Sequence, residues 1–227
     1  ARPVARIVAG SVGGRTIAVP AAGTRPTTDR VREALFARLD HYHLLDGRPI
    51  LDLYAGSGAL GLESASRGAS RVVLVEADRK AAQVCRDNVA SLKLRQVEVR
   101  QQRVEAYLER PALGEERFTL AFVDPPYDLG EEDLTQVLTL LVDHISLYDS
   151  VVVVERSTRS PVPTLPPGLS LWETRKYGET ALHLLDRAPR EGDPPACPAC
   201  DGEHTGDFAH EHDDASHHLP GSTGEQA

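Results

Sequence analysis

Residues Ile50 to Glu63 read ILDLYAGSGALGLE. A short apolar run passes through a glycine-rich turn and resumes as a helix-forming segment. Gly56, Gly58 and Gly61 carry the spacing G-x-G-x-x-G. Glycine there lets the chain turn sharply, lets a ligand approach the backbone, and lets the helix pack on the strand. The turn alone does not choose a ligand, because dinucleotide-binding domains share it. Two acids narrow the choice. Asp52 lies just before the turn, and Glu76 ends the next apolar run, VVLVE, where a carboxylate can accept from ribose hydroxyls. The second deciding element is Asp124-Pro125-Pro126-Tyr127, directly after the run LAFV.

Around this unit the chain alternates strand and helix. ILDLY, RVVLVE, VEVRQ, FTLAFV and SVVVVE read as five strands, and SLWETRKY and TALHLLD as a closing pair joined by Gly178-Glu179. Asp78 is placed to cap the helix that runs to Leu92, and Gly68 to end the helix after the glycine turn. The fold class expected is α/β: a doubly wound, Rossmann-like sheet, mostly parallel with one antiparallel strand. Ahead of it, RIVAG and RTIAV flank Ser11 to Gly14 as a β-hairpin. TRPTTD then leads, through a Thr28 or Asp29 cap, into an amphipathic helix with Val31, Leu35 and Leu39 on its apolar stripe. Arg30, Arg32 and Arg38 are expected off that stripe, facing solvent or phosphate. The expected divisions are a hairpin-and-helix prelude over 1–46, the sheet domain over 47–188, and a tail over 189–227.

The chain of 227 residues carries a net charge of -9, unevenly spread. From Pro189 onward one arginine stands against nine acids, whereas Ala1 to Arg38 holds seven arginines against two acids. A basic prelude on a near-neutral body suggests a local phosphate-facing patch, with a plain solvated face as the alternative. The candidate residues for such a patch are Arg6, Arg15, Arg25, Thr27, Thr28, Arg30 and Arg32. No run is long enough to span a bilayer and no signal-peptide pattern is present, so a cytoplasmic protein without a membrane partner is expected. Three cysteines give no disulfide framework. The tail reads as a disordered acidic segment. Its Cys197-Pro-Ala-Cys200 and following histidines offer only half a zinc site, and no metal is expected.

The chemistry follows from Asp124 to Tyr127. Two prolines present a carboxylate and a backbone carbonyl at a strand end, both acceptors suited to the two hydrogens of a nucleobase amine. Tyr127 offers a face on which that base can stack. S-adenosylmethionine fits the remaining groups: a ribose for Glu76, and an amino-acid end near Asp52 and Gly56. If the strands of Asp52 and Asp124 are neighbours, both face one crevice at the point where strand order reverses.

LDLYAGSGALGLE, VEAD and DPPY resemble motifs of class I S-adenosylmethionine-dependent amino-methyltransferases. RIVAGSVGGRTIAVP, TRPTTDRVREALF and KYGETALHLL resemble in particular the RsmD family, bacterial 16S rRNA guanine-N2 methyltransferases, over about Arg6 to Asp186. The resemblance implies that Asp52, Gly56 and Gly58 line the methionine end of the cofactor and that Glu76 takes its ribose. Tyr54, Ala55, Ser57 and Ala77 would complete that lining. Asp124, Pro125, Pro126 and Tyr127 would hold the guanine, and Arg25, Thr27, Thr28 and Arg30 would close the RNA-facing side. Gln102-Arg103-Val104 departs from the Asp or Asn that often meets the adenine amine, which leaves Arg103 and Val104 as lining residues. The implied partner is 16S rRNA, free or in an assembling small subunit, and the implied state is a monomer. The competing readings are a DNA adenine-N6 methyltransferase, a nicotinamide-dependent dehydrogenase, and a non-catalytic rRNA-binding assembly factor.

Overall fold

A computed structural model describes residues 4–20, 29–110, 112 and 117–193. The chain opens with a hairpin, β1 (Val4–Arg6) and β2 (Thr16–Ala18), followed by α1 (Asp29–His41). Next come β3 (Pro49–Leu53), α2 (Ala59–Ser66), β4 (Arg71–Glu76), α3 (Arg79–Leu92), β5 (Val97–Gln101) and α4 (Val104–Leu108). The second half adds β6 (Leu120–Val123), α5 (Glu131–Leu141), β7 (Val151–Ser157), β8 (Leu169–Tyr177) and β9 (Thr180–Arg187).

The large sheet has the order β5-β4-β3-β6-β7-β9-β8. Successive strands run outward from β3 to one edge, then the chain returns to place β6 on the other side of β3. Strand order therefore reverses between β3 and β6, which pair in parallel through Leu53↔Val123. β9 is antiparallel to both its neighbours, β7 and β8. The antiparallel strand is thus one in from the edge, and the outermost strand is β8.

Central strands are apolar on both sides because both sides are covered. All four residues of β6 are buried. Alternate side chains feed two cores. Leu74, Phe122 and Val153 join Leu35, Phe36 and Leu39 of α1 on one face. Val75, Val123 and Val154 join Leu134 and Leu138 of α5 on the other. The edge strand β8 instead carries Glu173, Arg175 and Lys176, charges that discourage pairing with another chain.

The loop after β1 is fastened to α2 by buried polar groups. Glu63 of α2 is fully buried and accepts from the N–H groups of Val8 and Ala9 at 2.7 and 3.1 Å and from Arg67 Nε at 2.7 Å. Gly10 lies so close that a Cβ there would sit 1.9 Å from the Ser66 carbonyl oxygen. Asp78 caps α3 by accepting from the Ala81 N–H at 2.8 Å.

The described chain continues past Ala188 to a small ion-paired clasp. Asp193 accepts two hydrogen bonds from Arg187, at 2.9 and 2.8 Å, and Arg190 pairs with Asp143. The segment from Pro189 to Asp193 is therefore tied to the sheet domain. Cys197, Cys200 and the histidines of the tail lie outside the described residues, as do Arg25, Thr27 and Thr28. No helix among the described residues is long and apolar enough to cross a membrane.

Candidate active site

The turn after β3 is built from left-handed residues. Tyr54, Gly56 and Gly58 have φ of 61°, 57° and 80°. Gly58 caps α2, and a Cβ there would meet Leu74 Cδ1 at 2.9 Å. Gly61 is tighter still, because its Cβ would meet Leu74 Cδ2 at 2.2 Å. Glycine spacing is thus read out twice, as backbone conformation at Gly56 and Gly58 and as helix-on-strand contact at Gly61.

Carboxylates hold this turn from below. Asp52 is buried and its Oδ2 accepts from the Gly61 N–H at 2.9 Å. Burial pushes its pKa up to about 7, opposed by the Gly61 hydrogen bond and reinforced by the charge on Glu76. Glu76 Oε2 accepts from the Gly56 N–H at 2.8 Å, and its Oε1 from the Asp78 N–H at 2.8 Å. Cys85 lies beneath, buried, donating from Sγ to the Gly56 carbonyl at 3.1 Å. Burial raises its pKa, so it is a packed thiol and not a nucleophile.

A pocket of about 600 Å³ runs from this turn across the ends of β3, β6 and β7. It is lined by Asp52, Tyr54, Ala55, Gly56, Ser57, Glu76, Ala77, Arg103 and Val104 on one side, and by Asp124, Pro125, Pro126 and Tyr127 on the other. All described cofactor candidates except Gly58 are among them. Gly58 instead lies under the turn against Leu74. Val104 is buried, whereas the Arg103 side chain is 77% exposed and pairs with Glu105 at 3.3 Å. Arg103 therefore lines the pocket with a side chain that is mostly in solvent. The Tyr54 hydroxyl is buried without a partner among the described residues, and burial raises its pKa, so it stays a neutral donor.

Asp124 is half-buried at the end of β6. Burial raises its pKa well above the ordinary carboxylate range, and the charges of Glu155 and Asp52 raise it further. Tyr127 is 70% exposed at the mouth.

The arginine set divides. Arg6, Arg15 and Arg30 are exposed, and Arg15 donates to the Ser91 carbonyl at 2.6 Å. Arg32 corrects the expectation of a solvent-facing arginine: it is 1% exposed, donates to Asp29 Oδ1 at 2.9 Å and to the Arg6 carbonyl, and lines the pocket. Arg38 is likewise engaged, paired with Glu173 and lying over the Tyr42 and Trp172 rings.

Two site residues escaped sequence reasoning. Asn88 of α3 exchanges hydrogen bonds with the Ala18 backbone, both at 2.9 Å, and donates to the Ser57 carbonyl at 3.0 Å. One amide thereby couples the hairpin to the glycine turn. A polar residue three positions after Cys85, on the inward stripe of α3, was the available signal. Glu155, at the end of β7, lines the pocket beside Asp124. Its signal was an acid ending an apolar run, the same signal that marked Glu76.

Comparison with known proteins accords with this geometry. The family model described as Conserved hypothetical protein 95 matches residues 5–186. Ribosomal RNA small subunit methyltransferase D of Escherichia coli K12 is 38% identical over 184 residues, covering 80% of this chain and 89% of that protein. The Bacillus subtilis rRNA methyltransferase candidate YlbH is 36% identical over 185 residues, covering 80% and 98%. A solved structure of a hypothetical protein from Thermus thermophilus superimposes with a TM-score of 0.69 at 35% identity, covering 80% of this chain and 98% of that one. The chain belongs to the family described as Conserved hypothetical protein 95, the RsmD family of the resemblance above.

Proposed function

We propose that this protein transfers a methyl group from S-adenosylmethionine to the exocyclic N2 amine of a guanine in small-subunit rRNA. The observation that carries the proposal is the adjacency of β3 and β6, which puts the glycine turn and Asp124-Pro125 in one pocket. The relatives named above are named for rRNA methylation, which favours an RNA base as the acceptor.

The residues present fit the cofactor. Glu76 is already oriented by two backbone N–H groups and keeps lone pairs for a ribose diol. Asp52 faces the place an α-amino group would take, and the unpartnered Tyr54 hydroxyl supplies a donor nearby. Alanine and valine walls at Ala77 and Val104 suit an adenine ring. The bound cofactor supplies an electrophilic methyl on a sulfonium.

A guanine amine is a weak nucleophile because its lone pair is delocalised into the ring. The Asp124 carboxylate and the Pro125 carbonyl accept its two hydrogens, orient the nitrogen and favour the charge that develops on it. The high pKa of Asp124 then suits it to take the departing proton. Tyr127, exposed at the mouth, stacks on an unstacked base. Exposed Arg6, Arg15 and Arg30 hold the surrounding phosphates, making residues 1–46 the RNA-facing element on a transferase domain that begins at residue 47.

The test is transfer from labelled S-adenosylmethionine to free small-subunit rRNA and to partly assembled subunits from an undermethylated strain, with the product nucleoside identified. N2-methylguanosine supports the proposal. N6-methyladenosine contradicts the base assignment, and no product on either substrate contradicts the enzyme reading.

A further inference from the structure

The segment from Asp124 to Gly130 joins β6 to α5 and carries Pro125, Pro126 and Tyr127 along the pocket. Its prolines have no N–H, so neither donates a backbone bond that would fix the segment. It is held through its carbonyls instead. The Pro126 carbonyl accepts from the Leu129 N–H at 3.0 Å, which closes the segment as a turn. The Leu129 carbonyl in turn accepts from Arg156 Nη2 at 3.3 Å. The same nitrogen pairs with Glu131, at the start of α5. Arg156 thus ties the end of β7 to the turn and to the helix that follows it.

The strand sets this arrangement. Side chains alternate along β7, and Val152 and Val154 pack in the core on the α5 side. Arg156, two positions further on, points to that side too, where α5 begins. Its side chain is 7% exposed, and a guanidinium so buried requires partners such as Leu129 and Glu131. Tyr127 is the opposite case. Its ring is mostly exposed at the pocket mouth, so its position follows the backbone of the turn more than any packing. We infer that Arg156 is a positioning residue for methyl transfer, pinning the turn at Leu129 so that the Tyr127 ring stands where it stacks on the target base. The inference rests on the stacking role proposed for Tyr127 and adds to it the side chain that places the ring. A turn released from Arg156 would leave the base held less often in line with the methyl group.

The test is a double-mutant cycle, read as kcat/KM for N2-methylguanosine formation on small-subunit rRNA. Arg156→Met removes the donors and keeps an unbranched apolar chain. It should lower kcat/KM by about tenfold, with affinity for S-adenosylmethionine within about twofold of the parent's. Tyr127→Ala should lower kcat/KM by about tenfold or more. Because Arg156 acts through Tyr127, the double variant should fall within about twofold of Tyr127→Ala alone. Losses that multiply overturn the inference, as does an Arg156→Met enzyme with the parent's kcat/KM. Glu131→Gln keeps an oxygen for Arg156 and leaves the Leu129 bond in place, so it should stay within about threefold of the parent. A Glu131→Gln loss of about tenfold would put the effect in the ion pair and overturn the inference, whether or not an Arg156 variant folds. A Tyr127→Ala enzyme as active as the parent removes the stacking reading itself, and a parent enzyme that makes no N2-methylguanosine removes the guanine-N2 reading.

Discussion

Glu76 holds Gly56. The carboxylate at the end of β4 accepts the N–H of the glycine turn after β3 at 2.8 Å, and with its other oxygen the N–H of Asp78 at 2.8 Å. The carboxylate proposed for the ribose thus also fixes the glycine turn, so a ligand bound there would meet a turn already shaped.

Glu76→Gln should therefore weaken cofactor binding by more than one lost ligand contact. The amide can accept with one oxygen only, and its NH2 faces a backbone donor. A loss of roughly 10–100-fold in affinity for S-adenosylmethionine is expected, measured by calorimetry. Unchanged affinity would show that the carboxylate neither holds the turn nor meets the ribose.

Asp52 gives a stability prediction with a definite sign. Its pKa is raised from 3.8 to about 7 in the folded chain. The unfolded chain therefore releases this proton at lower pH than the folded one, and Asp52 lowers stability as pH rises through that window. Asp52→Asn keeps an oxygen for the Gly61 N–H and removes the charge. Without cofactor, the variant should be more stable than the parent at about pH 8, by on the order of 2 kcal/mol, with a smaller difference at about pH 5. Urea unfolding at both pH values checks this. A variant less stable at the higher pH would contradict the burial of a charged Asp52.

The acceptor role proposed for Asp124 gives a prediction for the pH dependence of turnover. Its acceptor role requires the ionised form, which burial, Glu155 and Asp52 all disfavour. kcat/KM should therefore fall as pH falls, with a midpoint well above the ordinary carboxylate range, and the slope should be lost in a variant without this acid. A profile flat down to about pH 5 would contradict the assignment.

Most of the framework was legible because it depends on local signals. The Asp78 cap, the glycine turn, Asp52 near the end of β3 and Glu76 at the end of β4 each follow from a few adjacent residues. The β3–β6 adjacency could be posed from the two motifs but not read, since it depends on strand order. Arg32 shows where composition misleads. A charge near the edge of an apolar stripe reads as solvated, yet Arg32 falls one turn from Phe36 and is buried under the Arg6 carbonyl. Asn88 and Glu155 stayed unnoticed for the same reason. Their roles appear only when β2 docks 70 residues away from Asn88, or when β7 settles beside β6.

The central claim is that Asp124 acts on the amine and not on the cofactor. The direct measurement is methyl transfer to small-subunit rRNA by Asp124→Ala and Asp124→Asn, alongside the affinity of each for S-adenosylmethionine. The account predicts turnover reduced by about 100-fold or more in both variants, with cofactor affinity within a few-fold of the parent. Either variant turning over at the parent's rate would contradict it.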